Sequence, residues 1–352
     1  MRGAADACQA LGMRFSIYNT MRELSNRCVE TFAMRALGEA YVPGSGGSGS
    51  DWLKEHVGAG FLPAWSNPIP GLGNGFVLDA AMRVVALSRW NNFYVEGIQQ
   101  MMRDFNLDGI YLDEIAYDRV TMMRMKKLLD QRGGVIDHHS DSGAFCVSPS
   151  MIYMEHFPFL SKLWYGEGFN YDAATPDYWL VEMSGLAFGL TADMLRYPGM
   201  TPEHFKGFLF AQSNRWQGGM DPATVTTNPF VPVALWALWR DVGIANAALF
   251  GWWLGDVDPA LLPVAANDTG VRVTTYALPT RAVVAVASFL DAPTIVTLSV
   301  DNGILMLPGS IDTYCWSAPV LPPFQPHPAK LRLNDTFEVP PGQGHIFTLD
   351  PC

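Results

Sequence analysis

The chain has 352 residues, of which 49% are hydrophobic and 16% charged, and its formal net charge is −11. This is the composition of a core-rich globular protein, not of a disordered one. The acidic balance argues against nucleic acid or an anionic membrane as partner, because both require a basic face, and it suits a neutral or cationic small ligand.

The opening stretch "MRGAADACQALGMRF" lacks the apolar core of about 7–15 residues that marks a secretory leader. The compartment stays open, with secreted, periplasmic and lysosome-like locations all compatible. No apolar run reaches the length of a membrane span; "VPVALWALW" breaks at Arg240 and Asp241. "RFSIYNT" (14–20) reads as a strand and "NRCVETFAMRALGEA" (26–40) as a helix. The clearest helix is 88–105, where Trp90, Phe93, Tyr94, Gly97, Ile98, Met101, Met102 and Phe105 keep a helical stripe and Ser88 is the expected N-cap. "GIYLDE" follows as a strand, and then "YDRVTMMRMKKLLDQ" as a helix stopped by Gly133 and Gly134. The pattern continues with the strand "GVIDHHS", the short helix "SPSMIYMEHFPFLSK" and the strand "KLWYGE". Next come the helix "PDYWLVEMSG", the strand "GLAFGL", the helix "TPEHFKGFLFAQS", the helix "NPFVPVALWALWRDVG" and a last strand in "IANAALFGWW".

Short apolar strands alternating with longer helices predict βαβ units on a parallel sheet, and the best fit is a (β/α)8 TIM barrel. About six of its strands are countable. Either two units escape the pattern or the first two precede this sequence, which would make the barrel N-terminally truncated. From about residue 265 the helical period gives way to β-rich segments, including "VRVTTYAL", "RAVVAVASF", "TIVTLSV", "KLRLNDTFEV" and "GHIFTL". They predict an antiparallel β-sandwich, so the expected division is 1–262 for the barrel and 263–352 for the sandwich. Sequons stand at Asn267 and Asn334.

Several patterns point to no cofactor. "PGSGGSGSDW" holds a literal G-x-G-x-x-G at Gly44, Gly46 and Gly49, but no suitable βαβ unit surrounds it, and a loop over a barrel mouth is the better reading. His138, His139 and His156 fit no common zinc spacing, so no metal is expected, and polar groups that bind substrate are the preferred alternative. No serine elbow is present. The five cysteines show no pairing pattern and read as buried thiols.

Charged side chains at strand ends are the informative pattern. Arg22 and Glu23 follow "SIYNT", Asp113 and Glu114 follow "GIYL", Asp137 follows "GVI", and Glu167 follows "LWYG". In a parallel barrel every strand's C-terminal end opens on the mouth where chemistry is done. Glu155 and Glu182 lie in other apolar contexts, and Tyr117 and Asp118 follow the acid pair closely. Among the eleven tryptophans, Trp65 and Trp164 are expected to be exposed at strand ends, where an aromatic ring can stack on a sugar; Trp252 and Trp253 are further candidates, and Trp90 belongs to its helix's core face. Strand alternation puts Gly109, Tyr111 and Asp113 inward and Ile110 and Leu112 toward the helices, with Glu114 where strand becomes loop.

Over residues 12–255 the ordered segments "YNTMRELSN", "DWLKEH", "SRWNNFYVEG", "DGIYLDEIAYDR", "IYMEHFPFLSKLWYGEGFNYD" and "WLVEMSGLAFGL" resemble the catalytic barrel of glycoside hydrolase family 123. The resemblance implies a barrel with a C-terminal β-domain, a carbohydrate substrate, and β-N-acetylgalactosaminidase chemistry in which the substrate's own acetamido group attacks. It implies that Asp113 orients and stabilises that group and that Glu114 is the general acid/base. The expected set of substrate contacts is then Arg22, Glu23, Trp65, Tyr117, Asp118, His138, His139, Glu155, His156, Trp164, Glu167 and Glu182. The alternatives are a glycosidase for another sugar and an inactive carbohydrate-binding barrel.

Overall fold

The computed structural model describes residues 1–21, 23–25, 63–68, 76–81, 89–113, 118–140, 153–165, 169–194, 204–215, 232–322, 325–327 and 329–352. For 23–25, 63–68, 76–81, 89, 140 and 165 the backbone alone is described. The chain divides into two compact units, residues 1–140 with 152–163, and residues 141–151 with 164–352.

In the first unit, helix α1 (Arg2–Ala10) precedes strand β1 (Ser16–Asn19). The Gln9 amide donates to the Asn106 carbonyl at 2.9 Å and to Asp108 Oδ2 at 2.8 Å, and the Phe15 amide donates to the same carboxylate oxygen. β2 (Glu23–Ser25), β3 (Pro63–Pro68) and β4 (Phe76–Ala81) form a small antiparallel sheet with β4 in the middle. Helix α2 (Arg89–Phe105) buries Trp90, Tyr94, Ile98 and Met102 of the stripe read from the sequence, together with Val95 outside it, while Phe93 of the stripe is exposed. Strand β5 (Gly109–Asp113), helix α3 (Arg119–Asp130) and strand β6 (Val135–Ser140) follow. α3 buries Thr121, Met122, Met125 and Leu129. Of the predicted helix at 148–162, residues 153–162 are described, and there the chain makes turns with a 3-10 turn at Phe157–Phe159 rather than an α-helix.

Strand β7 (Lys162–Tyr165) links the two units in sequence. In the second unit, β8 (Ala192–Met194) and β9 (Ser213–Asn214) pair in parallel. Within the first unit β1, β5 and β6 lie side by side in that order, and the β1–β5 and β5–β6 pairings are also parallel, as a barrel requires.

Several predicted elements differ. The segment "GLAFGL" is not a strand but a 3-10 turn, Leu186–Phe188, bounded by Gly185 and Gly189 at φ values of 69° and 72°; the left-handed backbone at both ends cannot extend as a strand. "PDYWLVEMSG" forms one α-turn at Pro176–Tyr178 and continues as a π-helix at Trp179–Met183. Of "TPEHFKGFLFAQS", residues 201–203 lie outside the described residues, and the rest forms a helical turn at His204–Gly207 and a 3-10 turn at Phe208–Phe210. Helix α4 (Val233–Val242) forms as expected. The last strand expected before the β-domain, β10 (Ala248–Phe250), pairs with β12 in the sandwich.

That sandwich comprises β11 (Val264–Ala266), β12 (Val271–Leu278), β13 (Arg281–Ser288), β14 (Thr294–Val300), β15 (Tyr314–Ala318), β16 (Ala329–Leu331), β17 (Thr336–Val339) and β18 (Gly344–Pro351). One antiparallel sheet has the order β10-β12-β13-β18-β15-β16 and the other β11-β14-β17. Their inward residues, among them Val273, Val284 and Phe347 from one sheet and Val264, Val296 and Val339 from the other, make a shared core. Cys315 and Cys352 form a disulfide, which corrects the expectation of buried thiols for this pair; β15–β18 pairing brings their Cα atoms to 5.1 Å. Cys8 is free, while Cys28 and Cys146 lie outside the described residues. No described helix is long and apolar enough to cross a membrane.

Candidate active site

Parallel pairing sets β1, β5 and β6 in a common register. Tyr18 lies beside Tyr111, Tyr111 beside Asp137, and Asp113 beside His139. Paired residues share a sheet face, so Ser16, Tyr18, Gly109, Tyr111, Asp113, Val135, Asp137 and His139 point one way. Gly109 is required in this layer. A Cβ there would stand 2.5 Å from Val135 Cγ2 and 2.6 Å from Ser16 Oγ, both atoms of the flanking strands. Above it, the Tyr111 ring lies 5.5 Å from Tyr18 and 6.2 Å from His139 between centroids.

Asp113 ends β5 and is held from both sides. The Tyr18 hydroxyl donates to Oδ2. His139 Nδ1 lies 2.7 Å from Oδ1 and donates to it as the N–H tautomer. The His139 side chain is buried, at 4% exposure, whereas Asp113 keeps 26% and Tyr18 61%. The arrangement is a partly open carboxylate backed by two donors, able to accept an N–H from a ligand or to balance a positive charge, with a phenol at its rim.

The opposite sheet face packs against the helices. There the Tyr94 hydroxyl donates to Asn19 Oδ1, and the Trp90 indole N–H donates to the Met21 carbonyl at 2.7 Å, which fixes the chain leaving β1. Asp118, expected among the substrate contacts, has its carboxylate committed to structure. Oδ1 accepts from the Thr121 amide as the N-cap of α3, and Oδ2 accepts from the Thr121 hydroxyl and from Asn91. His138 also lies on this face, in register with Leu112. Its ring is fully buried edge-on to Tyr153, and neither ring nitrogen has a hydrogen-bond partner among the described residues. Burial first, then the nearby His139 and His156, push its pKa well below the usual imidazole value against the opposing charge of Asp113. Strand alternation therefore separates the two adjacent histidines: His139 joins Asp113 and His138 turns away. His156 is buried and also lowered by burial, with Glu155, itself exposed, 3.6 Å from Nε2.

In the second unit, Trp164 on β7 is 2% exposed, with the Arg215 guanidinium 4.6 Å from its ring centroid, so it is not the exposed platform expected. Trp252 is likewise buried, with Arg272 over its ring. Glu182 is half-buried in the π-helix, where its charge, after burial, raises the pKa of Tyr178. Arg22, Glu114, Tyr117 and Glu167 lie outside the described residues, as does the 44–50 loop; Glu23 and Trp65 are described in backbone only, on β2 and β3. Among the described residues no group of His, Cys, Asp and Glu side chains is placed to hold a metal ion. Tyr18 and the nearly buried Asp193 on β8 were not singled out by sequence. Tyr18 was findable from the alternation Ser16, Tyr18 in "SIYN".

Solved structures of similar fold include the α-amylases of Anoxybacillus (TM-score 0.54, 9% identity, covering 100% of this chain and 79% of that one) and Geobacillus thermoleovorans (0.51, 10%, 99% and 80%). The noncanonic maltogenic α-amylase of Thermotoga neapolitana is a third (0.51, 9%, 98% and 79%). At such identity the likeness shows the fold alone. A search of the curated proteins gives no match. Residues 1–217 match the Glycoside hydrolase 123 TIM-barrel domain and residues 231–350 the Glycoside hydrolase 123 C-terminal domain. With its strand-end carboxylate set in a TIM barrel and both family domains matched in order, the chain belongs to glycoside hydrolase family 123 and is a glycosidase, with carbohydrate as its substrate class.

Proposed function

We propose that the chain is a retaining exo-β-N-acetylhexosaminidase with a preference for N-acetylgalactosamine, working by substrate assistance. The observation that carries this reading is the two-sided hold on Asp113 by Tyr18 and His139. In an ordinary retaining enzyme a carboxylate about 5–5.5 Å from the acid attacks the sugar as nucleophile. A carboxylate already accepting on both oxygens is poorly disposed to attack and well disposed to orient an amide. Asp113 accepts the acetamido N–H, and the acetamido oxygen attacks C1. As the C1–O bond to the leaving group breaks, Glu114, next in the chain, gives its proton to the departing oxygen. The positive charge of the cyclised oxazolinium is balanced by Asp113. Water then attacks C1, Glu114 takes the proton, and the acetamido group reopens with net retention. The neighbouring negative charge of Asp113 favours a protonated Glu114, as a general acid needs.

A panel of 4-nitrophenyl glycosides tests this reading. Release from the β-N-acetylgalactosaminide and β-N-acetylglucosaminide alone is expected. Release from plain β-galactoside or β-glucoside at comparable kcat/KM contradicts it, because those sugars carry no acetamido nucleophile.

A further inference from the structure

We propose that Tyr18 selects the configuration of the sugar: its exposed ring is the platform on which a galacto-configured ring stacks, and it sets the preference for N-acetylgalactosamine over N-acetylglucosamine. The assignment rests on the N-acetylhexosaminidase reading for the identity of the substrate, and not on the acetamido attack.

Tyr18 lies near the C-terminal end of β1 and is 61% exposed. It is in register with Tyr111, and Asp113 stands further along β5 on the same face. Its hydroxyl nevertheless donates to Asp113 Oδ2, so the side chain leans along the strand toward the end where that carboxylate sits. The bond restricts rotation of the ring, and the Tyr111 ring flanks it with planes inclined at 43°. An exposed aromatic ring by itself marks nothing. One tethered at its tip to the carboxylate of the site borders whatever that carboxylate binds. Trp164 and Trp252, expected to stack on sugar, are buried, and so is Tyr111.

The chemistry of stacking distinguishes the two epimers. The face of an aromatic ring carries negative charge density and attracts C–H groups. In a β-galacto ring the axial O4 leaves C3–H, C4–H and C5–H on one face, clear of hydroxyls. In the gluco epimer C4–H points to the opposite face, and that contact is lost. Apolar differences of this size discriminate substrates by about tenfold or more in kcat/KM. The hydroxyl of Tyr18 thus serves Asp113, and its ring serves specificity.

The test is the ratio of kcat/KM for 4-nitrophenyl N-acetyl-β-galactosaminide to that for the glucosaminide, in the wild type and in Tyr18→Phe, Tyr18→Leu and Tyr18→Ile, alongside melting curves. The wild-type ratio is expected to be about tenfold or more in favour of the galactosaminide. Tyr18→Phe keeps the ring and loses the hydroxyl, so kcat is expected to fall alike on both substrates with the ratio kept. Tyr18→Leu removes the ring, so the ratio is expected to fall about tenfold, chiefly through a higher KM for the galactosaminide. Tyr18→Ile, a strand-favouring replacement, gives the same reading if Tyr18→Leu does not fold. General damage to the site slows both epimers together, so a ratio kept in the folded ring-less variant overturns the proposal. A wild type indifferent to the epimers, a ratio lost already in Tyr18→Phe, or no turnover of any glycoside overturns it too. Cleavage of plain hexosides contradicts the hexosaminidase reading separately, and the ratio is then read on the β-galactoside and β-glucoside with the same expected and contradicting results.

Discussion

Asp113 and His139 are cross-strand partners. β5 and β6 pair in parallel with these two residues in register, and His139 Nδ1 lies 2.7 Å from Asp113 Oδ1. The buried imidazole thus fixes one oxygen of a carboxylate that keeps 26% exposure, while Tyr18 from β1 fixes the other.

The first prediction concerns that hold. A hydrogen bond to a charged group is worth about 1.5–3 kcal/mol, or roughly 10–100-fold in rate where the charge acts in the transition state. His139→Leu and Tyr18→Phe are each expected to lower kcat by about that factor with a smaller change in KM. His139→Asn, which retains a donor, is expected to recover part of the loss. Steady-state kinetics alongside melting curves checks this. Wild-type kcat in His139→Leu means that the contact does not serve the reaction.

The second prediction follows from His138. Burial, and after it the nearby His139 and His156, hold its pKa well below the ordinary value of 6.5. An unfolded-chain histidine titrates near that ordinary value. Above about pH 6.5 neither state carries the proton, and this residue leaves stability flat. Below it the unfolded chain binds a proton that the native state refuses, so stability falls as pH drops through about 6.5 toward the depressed native pKa. His138→Leu is expected to flatten the fall of melting temperature between about pH 7.5 and pH 5. A residual slope is expected to remain from His156 and His345, whose values are also lowered, mainly by burial. An identical slope in variant and wild type refutes the assignment.

The third concerns the sandwich. The Cys315–Cys352 bridge closes a loop of sequence separation 37, for which chain entropy gives a stabilisation of about 3–4 kcal/mol. Cys352→Ser is expected to lower the stability of the sandwich by an amount of that order, measured by denaturant titration. The wild type with a reducing agent is expected to match it. A midpoint indifferent to both changes contradicts the contribution assigned to the bridge.

β5 and β6 are legible because each is a short apolar run leading to charged or imidazole groups, and alternation alone places Tyr111 and Asp113 on one face. Alternation within β6 separates His138 from His139, but which of the two joins Asp113 depends on the register with β5, and register is a property of two strands. Trp164 is buried where its sequence suggests exposure, because Arg215, from a distant part of the chain, covers its ring. "GLAFGL" has the apolar content of a strand, and only the backbone at Gly185 and Gly189 reveals a turn. β10 shows the same limit in reverse: its residues suit any sheet, and its partner decides which one it joins. The cysteine pairing has no local signature at all, since β15–β18 pairing creates it.

The most direct test of the acetamido mechanism compares Asp113→Asn with Glu114→Gln across leaving groups of differing acidity. Glu114→Gln removes the proton donor, so cleavage of poor leaving groups is expected to fall by about 10²–10⁴-fold and that of 4-nitrophenolate, which needs little protonation, by much less. Asp113→Asn removes the charge that faces the oxazolinium, so good and poor leaving groups are expected to slow alike, and a thiazoline mimic of the cyclised intermediate to bind more weakly. The same leaving-group dependence in both variants, or a covalent glycosyl ester trapped on Asp113, contradicts the account.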